Sequence, residues 1–546
     1  MTEKYSAFLP KPRPLFPGWF ARLLIAGPLL LVVLIRGLHG LENPPRPLND
    51  SGLVNLLTLV FTGIAIITLL VWFCFRSGYS VPIRRGALGG VMALGLLFFA
   101  CFRITDASGG MVFSVEPRWL PTADQRDAAL PKPEPAIATG IDLQTTTPND
   151  FPEFLGPGRR NLLPGPKLAR DWSTPPKLLW KRSIGAGWSA FATVNGHAVT
   201  MEQRGPEEWV TCYEIATGKP AWGHAIQARH DNQTVLGGVG PRSTPTIAGG
   251  RVYAMGATGI LRCLNGATGE LLWQDDLLKR YGLTQAEDNA KIAWGRSGSP
   301  LVVDGMVIVP AGGKVPKSLV AFDAESGDLR WEAGTDQIGY SSPTLVTLAG
   351  TRQIASVNEK TASGHDVATG RVLWTHPWPG NSSGSANSSQ PVPVGADQLL
   401  LSKGYSLGSE LLSFAPAGSG TPAAPQSVWA THRVLQTKFT NVTLIGDYAY
   451  ALSEGILECV EVASGKRQWK AGRYGHGQVL GVGELILVQA ETGDVALVEA
   501  NPKKFVELGQ FPALDGKTWN NLCLVGNKLL VRNAEEAACY ELGMER

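Results

Sequence analysis

The stretch ATGELLW, residues 267–273, decides the fold of this chain of 546 residues. Its pattern is Ser or Thr, then Gly, three variable residues and Trp. Four further copies follow the pattern: ATGKPAW (216–222), ESGDLRW (325–331), ATGRVLW (368–374) and ASGKRQW (463–469). Each Ser/Thr-Gly pair suits a tight turn, because Gly adopts a positive φ without strain. A short apolar run precedes each turn, so the pattern predicts a repeated β-hairpin whose second strand carries the tryptophan.

Three degenerate copies complete the series. LLWKRS at Trp180 and SVWATH at Trp429 keep the tryptophan strand without the turn, and FVELGQF takes the same place near residue 508 without a tryptophan. The successive spacings are 42, 51, 58, 43, 55, 40 and about 39 residues. A four-stranded propeller blade needs roughly 40 residues, so the longer spacings indicate insertions in loops.

The repeats therefore predict an all-β, eight-bladed β-propeller of four-stranded blades over residues 151–546. Between the hairpin turns runs a second strand–turn–strand pattern, as in STPTIAGGRVYAM and GSPLVVDGMVIVP. The last three strands of the chain lack a fourth partner, which the early strand around Trp180 supplies in this prediction. Such a closure joins the two ends of the ring and removes exposed sheet edges.

The N-terminal region, residues 1–103, is predicted to be a membrane anchor with three transmembrane helices. The spans are about 17–38, 53–75 and 86–102. The second contains 23 uncharged residues, about 34 Å as a helix, which is enough to cross a bilayer. A cleaved signal peptide is the alternative for the first span, but no small-residue cleavage site follows it.

Loop charge predicts the orientation of these spans. The residues before the uncharged run of the first span, 23–35, carry four basic side chains against Glu3 alone, and the loop 76–85 carries three basic side chains and no acidic one. By the positive-inside rule both segments are cytoplasmic. We therefore expect a bacterial inner (cytoplasmic) membrane location with a periplasmic propeller. Residues 104–150 form a Pro-rich linker, and 121–150 are expected to be a stiff, poorly ordered spacer.

The repeat resembles the pyrroloquinoline-quinone (PQQ) repeat of quinoprotein alcohol dehydrogenases and of the propeller lipoprotein of the outer-membrane barrel-assembly machinery. The resemblance covers about residues 151–546, including FPEFLGPGRRN (151–161), which is similar to the segment ahead of the first blade in large bacterial members. The three helices resemble a membrane-tethered bacterial subgroup. The resemblance implies the fold, and it leaves the activity open because the repeat tryptophans dock blades with or without a cofactor.

The resemblance to quinoprotein dehydrogenases implies a quinone held between a tryptophan and a disulfide of adjacent cysteines, with a calcium ion nearby. This chain departs from that pattern, because no two of its seven cysteines are adjacent. Four cysteines instead take matching places in four units, where they are expected to be buried and unpaired: Cys212, Cys263, Cys459 and Cys539. The eight histidines form no HxxxH pair, and no metal site is predicted.

A small-molecule site would lie at the mouth of the propeller channel, where the loops before the innermost strands converge. The candidate residues are Arg242, Trp294, Arg296, Tyr340, Lys438, His476, Trp519 and Asn520. Cations and tryptophans facing one funnel favour a flat anionic ligand, such as a quinone tricarboxylate, or an acidic peptide. The competing interpretation is that these side chains plug the tapering channel by bonding to one another. The stretch GNSSGSANSS (380–389) is expected to be a flexible loop.

The leading hypothesis is a non-catalytic periplasmic scaffold that binds a protein or envelope partner, with no cofactor. The alternative is a membrane-bound PQQ-dependent quinoprotein dehydrogenase that oxidises alcohols or sugars and uses PQQ with Ca²⁺. A sensor that signals through the helices is a weaker third hypothesis, since the cytoplasmic segments are short. The formal net charge of +3 is spread out, with no run of five like charges, so nucleic acid is not expected as a partner.

Overall fold

The computed structural model describes residues 13–41, 44–131, 140–232, 237–416 and 424–545. The chain divides into two compact units, residues 1–120 and 121–546. The first unit is mainly helical, and the second consists almost entirely of β-strands.

Three helices in the first unit are long and apolar enough to cross a membrane. They are α1 (Trp19–His39), α2 (Ser51–Arg76) and α3 (Val81–Cys101). The three predicted spans are therefore confirmed as helices, with α3 beginning five residues earlier than expected. A hairpin of β1 (Phe102–Ala107) and β2 (Phe113–Pro117) follows α3 directly.

Polar contacts fix the first two helices against each other. The carboxylate of Asp50 caps α2 by accepting from the backbone N–H of Leu53 at 3.1 Å. The guanidinium of Arg36 near the end of α1 donates to Asn55 at 2.7 Å and to Thr58 at 3.1 Å, both in the first turns of α2. The Arg36 charge at the C-terminal end of α1 also interacts favourably with the helix dipole.

The second unit is the predicted eight-bladed propeller. Each blade is an antiparallel sheet whose strands run outward from the channel in chain order. Blade 1 consists of β5 (Ala192–Val194), β6 (His197–Arg204), β7 (Glu207–Glu214) and β8 (Pro220–Gln227), and blade 2 of β9 (Thr246–Ala248), β10 (Arg251–Met255), β11 (Ile260–Asn265) and β12 (Leu271–Asp276). Blade 3 consists of β13 (Leu301–Val303), β14 (Met306–Gly312), β15 (Lys317–Asp323) and β16 (Leu329–Ala333), and blade 4 of β17 (Thr344–Leu348), β18 (Thr351–Val357), β19 (Thr361–Asp366) and β20 (Val372–Pro377).

Blades 5 to 7 have the same order. Blade 5 consists of β21 (Val392–Val394), β22 (Gln398–Lys403), β23 (Gly408–Ser413) and β24 (Gln426–Thr431). Blade 6 consists of β25 (Thr443–Ile445), β26 (Tyr448–Ser453), β27 (Ile456–Glu461) and β28 (Lys466–Arg473). Blade 7 consists of β29 (Gln478–Val482), β30 (Leu485–Gln489), β31 (Asp494–Glu499) and β32 (Glu507–Pro512). Two short helices, α5 (Leu277–Arg280) and α6 (Gln285–Lys291), lie in the insertion between blades 2 and 3.

Blade 8 closes the ring as predicted. Its inner strands are β33 (Cys523–Val525), β34 (Lys528–Arg532) and β35 (Glu536–Glu541), and its outermost strand is β4 (Lys177–Ser183) from the start of the propeller. Trp180 of β4 lies opposite Cys539 of β35. The closure places backbone hydrogen bonds where two sheet edges would otherwise face solvent.

The repeat tryptophans dock one blade onto the next. Trp222 is fully buried, packs against Gly269 in the turn of blade 2, and donates its indole N–H to the carbonyl of Gly266 at 2.9 Å. A Cβ on Gly269 would lie 2.6 Å from the indole, and the φ of that residue is +75°, so the turn requires glycine on two grounds. The other equivalent indole donors are those of Trp180, Trp273, Trp331, Trp429 and Trp469.

Trp374 is the exception at these junctions. Blade 5, which follows it, lacks the Ser/Thr-Gly turn, and so does blade 7, although Trp469 keeps the usual bond there, to the Asn501 carbonyl. The Trp374 indole instead donates to the side chain of Gln353 in its own blade at 2.6 Å, and its ring packs on Phe414 of blade 5 with centroids 5.0 Å apart. At the junction of blades 4 and 5 the indole therefore has a different hydrogen-bond acceptor, while the two blades remain in aromatic contact.

The expectation of a poorly ordered spacer over 121–150 does not hold for the described parts of that segment. Helix α4 (Ala123–Ala128) begins with a complete capping box formed by Thr122 and Gln125. Ile141 and Leu143 are buried with the core of blades 1 and 2. The Pro-rich centre, residues 132–139, lies outside the described residues. Residues 121–131 and 140–150 therefore belong to the propeller unit, whereas 104–120 belong to the first unit. Ile141 and Leu143 reach the core, and α4 is bound through the ion pairs of Asp124 with Arg229 and of Arg126 with Glu535.

Candidate functional site at the channel mouth

The chain itself fills the channel. Residues 151–163, here called the plug segment, begin where Phe151 exchanges backbone hydrogen bonds with Thr193 of β5 and end in β3 (Leu162–Leu163), which pairs in parallel with β29. Between these points Arg159 is 4% exposed and donates to the carbonyls of three residues that precede β13 and β17. These residues are Ser299, Pro300 and Pro343. The plug segment therefore occupies the space inside the ring of innermost strands.

The candidate residues lie on loops that lead into the innermost strands, as the sequence predicted. The structure brings them together in groups. The first group contains Arg242, Trp294, Arg296 and Tyr340 on three consecutive loops. The second contains His476, Trp519 and Asn520 on two loops, and Lys438 stands beside this second group on the loop before β25.

The cations among these residues are paired within the chain. The Arg296 guanidinium, 2% exposed, binds both carboxylate oxygens of Asp288 at 2.9 and 3.2 Å. The ammonium of Lys438 lies 3.4 Å from the carboxylate of Glu454. Arg242 donates to the backbone carbonyls of residues 237, 238 and 240 at 2.8–3.0 Å. Burial lowers the pKa of Arg242 to about 10.

The polar side chains of the second group are buried. Asn520 donates to the carbonyls of Gly187 at 3.3 Å and Ser189 at 2.8 Å. The carboxylate of Glu491 accepts from the His476 backbone N–H at 3.0 Å and from the Trp519 indole at 2.8 Å. In the first group the Tyr340 hydroxyl donates to the Ser382 carbonyl, and burial raises the pKa of this phenol. The side chains of these candidates are thus bonded mainly to backbone carbonyls and to other carboxylates, rather than to one another as in the plug interpretation.

The aromatic side chains differ from the polar ones because they are half-buried. Trp188 and Phe439 both pack on Trp519, with ring centroids 4.9 and 4.7 Å away. The ammonium of Lys517 lies 4.0 Å from the Trp519 centroid and 5.0 Å from the Trp188 centroid, which is cation–π geometry. Trp294 packs edge-to-face on Tyr340 at 5.8 Å. We call Trp188, Phe439 and Trp519 the mouth aromatics.

Sequence reasoning identified one of the three mouth aromatics. Trp188 lies in GAGWSA, directly before β5, so it occupies the same place in its blade as the chosen residues in theirs. Phe439 follows Lys438 in TKFTN, and the structure buries the lysine while it leaves the ring half-exposed. Their position on the loop before an innermost strand was the sequence signal that could have identified Trp188 and Phe439. Selecting residues by charge led to Lys438 in place of Phe439.

The residues at the mouth do not fit a quinone with a calcium ion. The arginines and the lysine that would bind quinone carboxylates are engaged by Asp288, Glu454 and backbone carbonyls. No group of three or more His, Cys, Asp or Glu suited to a metal ion occurs among the described residues. Adjacent cysteines are absent from the sequence.

The cysteines of the propeller are free and buried, as expected. Cys212, Cys263, Cys459 and Cys539 lie on the third strands of four blades, each opposite the tryptophan of the outermost strand. Burial raises the pKa of Cys212, which holds it as an unreactive thiol. The matching positions therefore reflect packing under the docking tryptophans.

The fold and the mouth define a PQQ-repeat propeller whose channel is filled by its own chain. The family described as "Outer membrane protein assembly factor BamB" matches residues 175–288 and, in an overlapping match, 206–471, together more than half of the chain. The chain belongs to this family.

One curated relative is the outer membrane protein assembly factor BamB of Burkholderia pseudomallei (strain K96243). It is 28% identical over 200 residues, which cover 36% of this chain and 47% of the relative. The match thus spans about half the length of that protein.

Two solved structures share the fold. The quinohemoprotein alcohol dehydrogenase ADHIIG of Pseudomonas putida HK5 is 13% identical, with a TM-score of 0.52 and coverage of 75% of this chain and 84% of that one. The quinohemoprotein alcohol dehydrogenase of Comamonas testosteroni is 13% identical, with a TM-score of 0.51 and coverage of 78% and 85%. At this identity the likeness concerns the fold alone.

Proposed function

We propose that this protein is a membrane-anchored, non-catalytic scaffold of the bacterial envelope whose channel mouth binds a protein partner. The observation that carries the proposal is the difference in burial between the polar and the aromatic side chains at the mouth. Buried polar side chains are bonded to the chain itself, and above them the mouth aromatics stay half-exposed. Rigid, partly exposed aromatic rings are typical centres of protein interfaces.

The packing of the rings supports a protein rather than a small planar ligand. Trp519 is bonded through its indole N–H to Glu491 and contacted by Trp188 and Phe439, so its orientation is fixed before any partner arrives. A fixed aromatic surface loses little conformational entropy on binding. Lys517 above two of the rings adds a cation at the rim, which favours an acidic patch on the partner.

The proposed location is the inner membrane, with the N-terminus cytoplasmic and the propeller periplasmic. The three apolar helices support this orientation, as do the basic residues before α1, Arg76 at the end of α2, and Arg84 and Arg85 near the start of α3. The relationship to a family of outer membrane protein assembly factors supports an envelope location and a role in protein interaction.

The test is site-specific photo-crosslinking in cells that produce the full chain. A benzophenone side chain replaces Lys517 at the mouth or, as a control, Lys466, which is exposed on the outermost strand of blade 6. We expect a discrete polypeptide adduct from position 517 and none from 466. Equal labelling at both positions, or no adduct at 517, would contradict the proposal.

The alternative, a PQQ-dependent dehydrogenase, has its own test. The purified full chain in detergent is titrated calorimetrically with PQQ and Ca²⁺, and dye reduction is followed with alcohols and sugars as substrates. The scaffold proposal predicts neither heat nor turnover, since the cations at the mouth are already paired. Micromolar binding with turnover would establish the dehydrogenase instead.

A further inference from the structure

The hairpin of β1 and β2, which follows α3, exposes its apolar face. Side chains alternate between the two faces of a strand, and Ile104 lies directly opposite Val115, so these two share one face. They are 54% and 45% exposed. Phe113, two residues from Val115 and on the same face, is 39% exposed. Three large apolar side chains therefore stand together on one open surface.

The polar face of the same hairpin is the one that the chain covers. Arg103 pairs with the carboxylate of Glu116 at 3.1 Å, and its guanidinium also donates to the carbonyl of Leu120 at 3.1 Å. The side chains of Arg103 and Glu116 are 18% and 30% exposed. A hairpin in water buries its apolar face and leaves its polar face in solvent, because burial of apolar surface is favourable. The reverse arrangement here indicates an apolar environment beside Ile104 and Val115.

The base of the hairpin is fixed to the end of α3. Strand β1 begins at Phe102, directly after the helix. The Arg118 side chain donates to the carbonyls of Phe99 and Phe102 at 2.7 and 3.0 Å. Phe102 also packs on Phe98 and on Trp119, with ring centroids 5.5 and 6.0 Å away. Helix α3 has 21 residues, about 31 Å, so a bilayer-spanning α3 ends at the edge of the hydrocarbon core, where the hairpin begins.

The tip of the hairpin is fixed to the start of α2. The Asn55 side chain donates to the carbonyl of Gly110 in the turn at 2.6 Å and accepts from Arg36 at 2.7 Å. Arginine and asparagine side chains favour the membrane boundary over the hydrocarbon core. A short loop joins α2 to α3, so the start of α2 and the end of α3 lie on the same side of the membrane. Base and tip are thus both held at one boundary, and the hairpin lies along it.

We propose that the β1–β2 hairpin binds the lipid surface, lying in the interfacial layer with Ile104, Phe113 and Val115 against the acyl chains. This inference rests on the proposed membrane anchorage and adds a lipid contact outside the three spans. Lipid is the occupant because the apolar surface continues from α3 onto the hairpin through Phe102. Trp119, in contact with Phe102, is 70% exposed, and tryptophan is enriched at membrane interfaces.

The experiment places a benzophenone side chain at Val115 or, as the matched control, at Ser114, its exposed neighbour on the opposite face. Leu96, 70% exposed on α3, is the reference for a position that faces lipid. Cells that produce the full chain are irradiated, and mass spectrometry identifies the phospholipid or polypeptide joined to each position. We expect phospholipid adducts at 96 and 115. The yield at 114 should be roughly fivefold lower, because that side chain is directed to the polar face.

Every other outcome contradicts the inference. Equal phospholipid yields at 114 and 115 would mean that the hairpin has no lipid-facing side. A polypeptide adduct at 115, or a crosslink from 115 to another part of the same chain, would mean that protein covers the apolar face. Phospholipid at 96 without phospholipid at 115 overturns the hairpin contact and leaves the membrane anchorage standing. The absence of phospholipid at both positions overturns the anchorage and this inference together.

Discussion

The channel mouth contains two kinds of side chain that the sequence does not distinguish. Arg296 and Asp288 form an ion pair that is almost fully buried, with side-chain exposures of 2% and 0%. Trp188 and Trp519, on neighbouring loops, form a half-exposed aromatic pair. Arg296, Trp188 and Trp519 all lie on loops that lead into innermost strands, yet the ion pair is buried and the rings are only half-buried.

The difference separates stability from recognition. A buried charged side chain is tolerated in the fold because it is paired, and removing its partner destabilises the folded chain. A half-exposed ring that is already oriented gains most when a second surface covers it. The mouth should therefore respond to mutation in two distinct ways, and four changes test this division.

The largest expected effect is on the buried ion pair. Asp288→Ala leaves Arg296 buried without its carboxylate, so we expect the free energy of unfolding to fall by about 3–5 kcal/mol. Denaturant unfolding of the full chain in detergent, followed by tryptophan fluorescence, measures this loss. The control is Asp304→Asn, which breaks the exposed pair with Arg352, suits the positive φ of 49° at this position, and should leave the midpoint unchanged. Equal losses in the two variants would show that burial does not govern these pairs.

The next effect concerns the mouth aromatics. Trp519→Ala removes the ring that contacts both Trp188 and Phe439, and we expect partner affinity to fall by about 2 kcal/mol, roughly thirtyfold. The dissociation constant of the partner recovered through position 517 provides the measurement. Val428→Ala, at an exposed apolar residue on the outermost strand of blade 5, is the matched control. Loss of stability in Trp519→Ala without loss of affinity would reverse the proposed roles.

A pH dependence tests the buried side further. His230 is 1% exposed, and burial together with the Arg242 charge lowers its pKa to about 3. The unfolded chain binds a proton below about pH 6.5 and the folded chain does not. Stability should therefore fall as the pH drops from about 6.5 towards 3, by up to about 1.4 kcal/mol per pH unit from this group. His230→Leu should flatten the curve by that amount, and parallel curves for the two proteins would contradict the assignment.

The smallest effect is expected from the cation above the rings. Lys517→Gln removes the cation–π contacts with Trp188 and Trp519, which are worth about 0.5–1 kcal/mol at a partly exposed site. Partner binding should weaken less than fivefold, and its association rate should become less sensitive to salt. A larger loss than that of Trp519→Ala would make the charge, rather than the aromatic surface, the centre of recognition.

Most of the fold is predictable from sequence because it rests on repetition. The repeat series placed all eight outermost strands, including β4 around Trp180 and β32 near residue 508, since five of the turns carry a glycine on which the tryptophan of the preceding blade packs. The exceptional hydrogen bond of Trp374 to Gln353 was not predictable, because these residues are 21 positions apart and come within reach only in the folded blade.

The position of the candidate site was predictable from the sequence, but the exposure of its individual side chains was not. Loop position located the mouth, but whether Lys438 or Phe439 faces outward depends on Glu454, which is close only in the folded chain. The Ser383 hydroxyl donates to the carbonyl of Ala290 at 3.0 Å, and these two residues are far apart in sequence, so the contact between their loops was not predictable. Low complexity in 380–389 indicated flexibility, whereas serine and asparagine there form the bonds that hold the loop.

The pairing of β4 with β35 also sets an order of events during synthesis and export. Strand β4 leaves the ribosome before the seven blades that follow it, and its partner β35 comes after all of them. Until then one edge of the incomplete ring stays unpaired. Under the proposed envelope location, production of the protein should therefore be more sensitive to chaperones that shield this edge than its final stability suggests.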